Sequence, residues 1–234
     1  TSGSAITLST NNAQFWNGDF TFGGSNDLNL GTGAVTLAST LHLTANGTAI
    51  LTAGGVIGGT GFGIFKEGTG TLALNGANTF DGGVTINAGT VRLGNAAALG
   101  ASTNSLTFGA SSNAKLQVNG IAATVGALSG DSTATIENSN ASNGALTVNA
   151  TSTTAFNGTI QNGSGGGVLA LIKSGSGGLA LSGPSTYSGG TKLNAGTLTV
   201  GGNSALGTGV VTVNGGTIST SADAVLSNAF TLNA

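Results

Sequence analysis

The chain has no cysteine, no methionine and one proline, Pro184, and only 5% of its 234 residues carry charge. Without cysteine there are no disulfides and no thiol chemistry, a state compatible with export across membranes before folding. An ordinary soluble domain carries roughly 25% charged residues, and a globular enzyme surface could hardly be built from so few. The basic residues, Lys66, Arg92, Lys115, Lys173 and Lys192, are too scattered for a nucleic-acid surface, so no nucleic acid is expected as a partner. No run approaches the ~20 apolar residues of a membrane helix. No basic stretch followed by an apolar one opens the chain, which ends inside the strand-like FTLNA at Ala234. We therefore expect a mature segment or a piece of a longer protein.

What is abundant is glycine, with 44 residues, alongside Thr, Ser and Asn, which suit turns and strand exteriors. Disorder is disfavoured, because disordered chains combine low hydrophobicity with high net charge, whereas here 38% of residues are hydrophobic and the formal net charge is -2. Short alternating runs such as AVTLA, TLALNG, TVRLG, ALTVNA and TLTVG recur from end to end. Their apolar residues fall two apart, the period of a half-buried strand, and no window carries a helical period. Turn residues follow every 8 to 12 positions or so, as in an all-β chain.

Residues 66–100 read KEGTGTLALNGANTFDGGVTINAGTVRLGNAAALG, and residues 173–207 read KSGSGGLALSGPSTYSGGTKLNAGTLTVGGNSALG. Lys66, Leu72, Leu74, Asn87, Gly89 and Gly100 recur 107 positions later (173 minus 66) as Lys173, Leu179, Leu181, Asn194, Gly196 and Gly207. Phe80 is matched by Tyr187, and Ile86 by Leu193. The match extends upstream, aligning Ile57 with Ile160 and Ile64 with Leu171 across a Gly-rich insertion. Repeat units thus lie near 49–108 and 153–213. A unit that cannot bury its own apolar face must stack on copies of itself. The same regular, non-identical repetition argues against an amyloid-like fibre. We expect a single continuous β-solenoid over 1–234, with coils of about 20 to 25 residues. Roughly ten coils at about 4.8 Å each would make a rod about 50 Å long. Leu72, Leu74, Val84, Ile86, Val91 and Leu93 are the expected core ladder.

Read together, GTGTLALNGANTF, the following Gly-Gly and INAGTV resemble the autotransporter-associated β-strand repeat, the passenger-associated transport repeat of bacterial autotransporters; the second copy, GGLALSGPSTYSGGTKLNAGTL, matches as well. The resemblance implies a right-handed parallel β-helix (β-solenoid), secreted to the bacterial cell surface and serving as an adhesin, stalk or matrix filament component. It implies an outer-membrane barrel or other export machinery as a partner during secretion, and a host or bacterial surface protein or polysaccharide as a binding partner. Neither the signal peptide nor the C-terminal barrel of a complete autotransporter is expected within these 234 residues.

The alternative reading is a polysaccharide-degrading β-helix enzyme, a lyase or hydrolase, which requires carboxylates converging from neighbouring coils. The acidic residues are Asp19, Asp27, Glu67, Asp81, Asp131, Glu137 and Asp223. None is paired at the spacing of one coil, and Glu67 and Asp81 become Ser174 and Ser188 in the second copy. No catalytic, cofactor-binding or metal residue is therefore assigned, no cofactor is expected, and the ligand-binding residues stay unknown. His42, between Leu41 and Leu43, is expected on the outer face without metal partners. Lys66 and Lys173 are expected to be solvated and to discourage edge pairing. GTGFG and GSGGG do not open helices and are not phosphate loops. The sequons at Asn46, Asn149 and Asn157 fall within chance for an Asn/Thr-rich chain. The aromatic cluster FWNGDFTF, Phe15 to Phe22, is expected to cap the first coil, with contact to sugar or protein as its alternative role. Neither end carries an evident cap, so we expect continuation into more chain or end-to-end stacking on another copy.

Overall fold

The computed structural model describes residues 4–110 and 113–233; Ala234, in the last strand-like run, lies outside them. Over the described residues the chain forms 27 short strands and no helix. The strands pair in parallel with their counterparts in neighbouring coils, building a β-solenoid of about ten turns. Ile6, Leu28, Leu51, Leu72, Val91, Leu116, Ile136 and Ile160 stand in register on one face. The coil length along that row varies from 19 residues (Leu72 to Val91) to 25 (Val91 to Leu116).

Three faces enclose the core. The first is an eight-stranded sheet running from Ile6–Thr7 to Thr159–Gln161. The second begins as a three-stranded sheet and resumes as a six-stranded one; the third passes from a six-stranded into a four-stranded sheet through a bridge between Gly130 and Phe156. Alternation along each strand sends one set of side chains inward, so Leu72, Leu74, Val84, Ile86, Val91 and Leu93 are all buried as the period of two requires. Each such Leu, Ile or Val contributes on the order of 1.5–3 kcal/mol by leaving water.

Within each repeat copy, one face carries a turn in place of a strand, and the aromatic residue seats inward there. Phe80 and Tyr187 are both fully buried. The turn's second anchor also recurs with altered chemistry: Asn78 Oδ1 accepts the Ile57 N–H at 2.8 Å, and Ser185 Oγ accepts the Ile160 N–H at 3.2 Å. That equivalence bears out the alignment of Ile57 with Ile160. A correlated change follows the aromatic ring. Tyr187 bonds its hydroxyl to Thr191 Oγ1 at 2.7 Å, whereas Phe80, with no hydroxyl to satisfy, has Val84 at the corresponding position. A phenol buried beside valine would have left one polar group unpaired. Gly196 closes the next turn with a φ of 74°, and a Cβ there would run into the carbonyls of Gly175 and Gly177 in the coil below.

The two copies do not share a side of the rod. Ile64–Glu67 lies on the third face, whose later rungs Val84–Ile86, Ser105–Phe108, Ala127–Ser129 and Thr154–Phe156 mark four coils. Thr159–Gln161 on the first face then precedes Leu169–Ser174 on the second. The second copy therefore starts two faces beyond a whole number of coils. Duplication lengthened the rod without doubling any one surface.

Candidate functional site

The recurring lysines are the first surprise, and the expectation of solvated side chains is corrected. Lys66 and Lys173 are fully buried. Lys66 Nζ donates to the carbonyls of Glu67 (2.7 Å), Gly68 (2.8 Å) and Ala88 (3.1 Å). Lys173 Nζ repeats the pattern with Ser174 (2.5 Å), Gly175 (2.9 Å) and Ala195 (3.3 Å). An ammonium has three N–H donors, and here three turn carbonyls from two coils receive them. Burial pushes the Lys66 pKa down to about 8 against the opposing attraction of Glu67, and burial also lowers that of Lys173. The signal was present in the sequence: Lys66 lies two residues after Ile64, which places both on the inward side. Its register partners are Leu43 and Ile86. These lysines tie coils together, and all three donors of each ammonium are spent on the turn carbonyls.

Six of the seven carboxylates are similarly occupied. Asp19 accepts the His42 N–H at 2.7 Å, Asp27 the Ile50 N–H at 2.8 Å, and Asp81 the Gly61 N–H, each on a neighbouring coil. Asp131 accepts from Thr133 within its own turn. Glu67 Oε1 takes bonds from Asn87 Nδ2 (2.6 Å) and His42 Nδ1 (3.2 Å). The His42 ring points outward and stacks on Phe65 with centroids 4.6 Å apart. Among the described residues no three of His, Cys, Asp and Glu converge where they could hold a metal ion. Asp223 and Lys192 are exposed, and Arg92 is half-buried.

One polar cluster stands apart on the outward side of the first face. Glu137 is 6% exposed, and both its oxygens are filled. Oε1 accepts from Gln117 Nε2 (3.0 Å) and Ser139 Oγ (2.8 Å); Oε2 accepts from Lys115 Nζ (3.1 Å) and Gln161 Nε2 (2.9 Å). Burial alone would raise its pKa, but the four donors outweigh it and hold the carboxyl below the ordinary glutamate range. The register places Gln117, Glu137 and Gln161 on successive rungs. Beside them the turn after Gln161, which contains the GSGGG stretch, brings Asn162, Gly163 and Ser164 to the same surface. Together they bound a groove of about 500 Å³ lined by Lys115, Glu137, Gln161, Ser164 and Thr186, among others. Sequence reasoning missed this groove, because Lys115 with Glu137 is a pair separated by 22 residues, legible only once the coil lengths are known.

The aromatic cluster divides. Trp16 turns inward and meets Phe20 edge-on at 5.2 Å, while Phe15 is 69% exposed. Asn46, Asn149 and Asn157 of the sequons are exposed. Near the other end a ladder of amides follows one outward row: Asn233 donates to Asn214 and Asn214 to Asn194, both at 2.8 Å, and Asn194 to Ser174 Oγ at 3.3 Å.

A family model described as the passenger-associated-transport-repeat matches residues 64–93 and 171–200, the two segments that hold the buried lysines and the inward strands. Over 169 residues the chain is 34% identical to a protein of Brucella suis biovar 1 (strain 1330) described as "Adhesin BmaC autotransporter". The aligned stretch covers 72% of this chain and 4% of that relative. No solved structure matches.

Proposed function

We propose, from the premise that this chain belongs to the autotransporter passengers built on passenger-associated transport repeats and is secreted to the cell surface, that it is a non-catalytic, adhesive length of rod. The relative's description as an adhesin supports that reading. The observation that carries it is the state of the acidic groups. Six of the seven carboxylates are engaged in hydrogen bonds that hold turns or neighbouring coils, and the most buried, Glu137, has four donors on its two oxygens. A saturated carboxylate is poorly placed to accept a proton as a general base. Adhesion then comes from reach and from many weak polar contacts, whose combined effect exceeds that of any single one. An outer-membrane barrel is the proposed export partner.

The test pairs two assays on the purified chain. Beads coated with it are expected to adhere to host-cell or bacterial surfaces, and a polysaccharide turnover screen is expected to stay at background. Turnover that disappears on Glu137→Gln or Asp81→Asn would overturn the reading.

A further inference from the structure

The groove beside Glu137 has a donor and acceptor surplus that the fold does not use. Glu137 spends all its acceptor capacity on Lys115, Gln117, Ser139 and Gln161, and by doing so immobilises them. Among the described residues the Lys115 ammonium has no other partner, which leaves it two N–H donors. The Gln161 amide oxygen and the hydroxyls of Ser164 and Thr186 have no partner among the described residues either, and Ser164 and Thr186 are exposed. The site thus joins Lys115 and Gln161, held on adjoining strands by the carboxylate buried beneath them, to the hydroxyls of Ser164 and Thr186 on exposed turns beside the sheet.

The lining chemistry narrows the occupant. A peptide or protein partner would need an apolar or aromatic anchor pocket, and the groove's side chains are amides, hydroxyls and one charged pair. A nucleic acid would need several cations, and one lysine is present here. An anionic ligand would gain little from Lys115, whose charge Glu137 already offsets at 3.1 Å. Neutral sugar hydroxyls donate and accept at once, which complements this mixture. A volume of about 500 Å³ is ample for a small ligand. The outward rungs recur about every 4.8 Å along the rod, so an extended glycan lying parallel to the axis meets a polar rung repeatedly.

We propose that the groove formed by Lys115, Gln161, Ser164 and Thr186 over Glu137 binds a neutral saccharide chain. This rests on the adhesive reading and names the ligand class for it. Single-site binding is expected to be weak, with a dissociation constant on the order of 1 mM.

The test uses the purified chain against neutral gluco-, galacto- and manno-oligosaccharides and, separately, uronate oligosaccharides, followed by titration calorimetry or NMR. Ser164→Trp fills the groove from an exposed turn position, and Thr186→Ala removes one hydroxyl; circular dichroism and melting establish that both variants fold. At least one neutral oligosaccharide series should bind the parent chain, with affinity reduced tenfold or more by Ser164→Trp and severalfold by Thr186→Ala. Absence of neutral-sugar binding, preference for uronates, or binding indifferent to Ser164→Trp would each overturn the assignment. Bead adhesion separates the two levels. Adhesion that survives Ser164→Trp refutes the groove and leaves the adhesive reading standing, whereas sugar binding without bead adhesion keeps the groove and refutes adhesion.

Discussion

Replacing Lys66 by methionine would keep most of the stem's volume and remove the ammonium. The carbonyls of Glu67, Gly68 and Ala88 would then lose their shared donor. A buried acceptor left unpaired costs about 1–3 kcal/mol. Two of the three carbonyls belong to a turn that water can partly reach, so the expected loss is about 3 kcal/mol. In a solenoid the damage stays near the affected coils. The sensitive readout is therefore hydrogen exchange at Asn87 and Ala88, whose amides both donate to the Lys66 carbonyl. Their protection should fall roughly a hundredfold, at ~1.4 kcal/mol per tenfold, while Asn194, which bonds the Lys173 carbonyl, should be unchanged. Lys173→Met should invert that pattern. The double variant should be additive, because four coils separate the sites. Urea unfolding followed by circular dichroism gives the global measure. Both single variants lying within about 0.5 kcal/mol of the parent, with unaltered exchange, would refute the argument and return these lysines to solvent.

Glu137, whose pKa is lowered, contributes stability that is present above the unfolded glutamate value and lost as pH falls through the folded one. Glu137→Gln should flatten the acid limb of a stability-against-pH curve measured below about pH 5. On the alkaline side, Lys66 sits at about 8 when folded and near 10.4 when unfolded. The unfolded chain holds the extra proton between those values, so this lysine makes stability rise with pH across the interval. Tyr187 works in the opposite sense: burial raises its pKa, the unfolded chain releases the phenolic proton first, and stability falls above about pH 10. Tyr187→Phe should remove that decline in urea titrations, and a decline unchanged by the substitution would count against a buried neutral phenol. Gly196→Ala combines a positive φ with a Cβ pressed on two carbonyls. It should lower the midpoint more than Gly47→Ala, where φ is also positive but the space is open. Conformation alone costs roughly 1–2 kcal/mol, so equal midpoints would refute the close approach.

The period of two in runs such as TLALNG and TVRLG decides which residues face inward, because strand geometry is local. The 107-residue repeat, with glycines where the backbone turns, then requires stacking. Those features were enough for the solenoid, its core ladder and its approximate coil length. Lys66 was misassigned although its position two residues after Ile64 was informative. The Gly-rich turn that follows it suggests a solvated lysine, and only the structure revealed the three carbonyls that make an interior ammonium tolerable.

The groove could not be read in advance. Coils of 19 to 25 residues leave the partner of any outward residue undetermined within several positions, and a slip of one position moves a side chain to the opposite face. The meeting of Lys115 with Glu137 and Gln161, and the separation of the two repeat copies onto different faces, are sums over every coil and turn between them. Local periodicity in the sequence therefore determined what points inward. Only the accumulated register of the folded rod decided which outward side chains became neighbours.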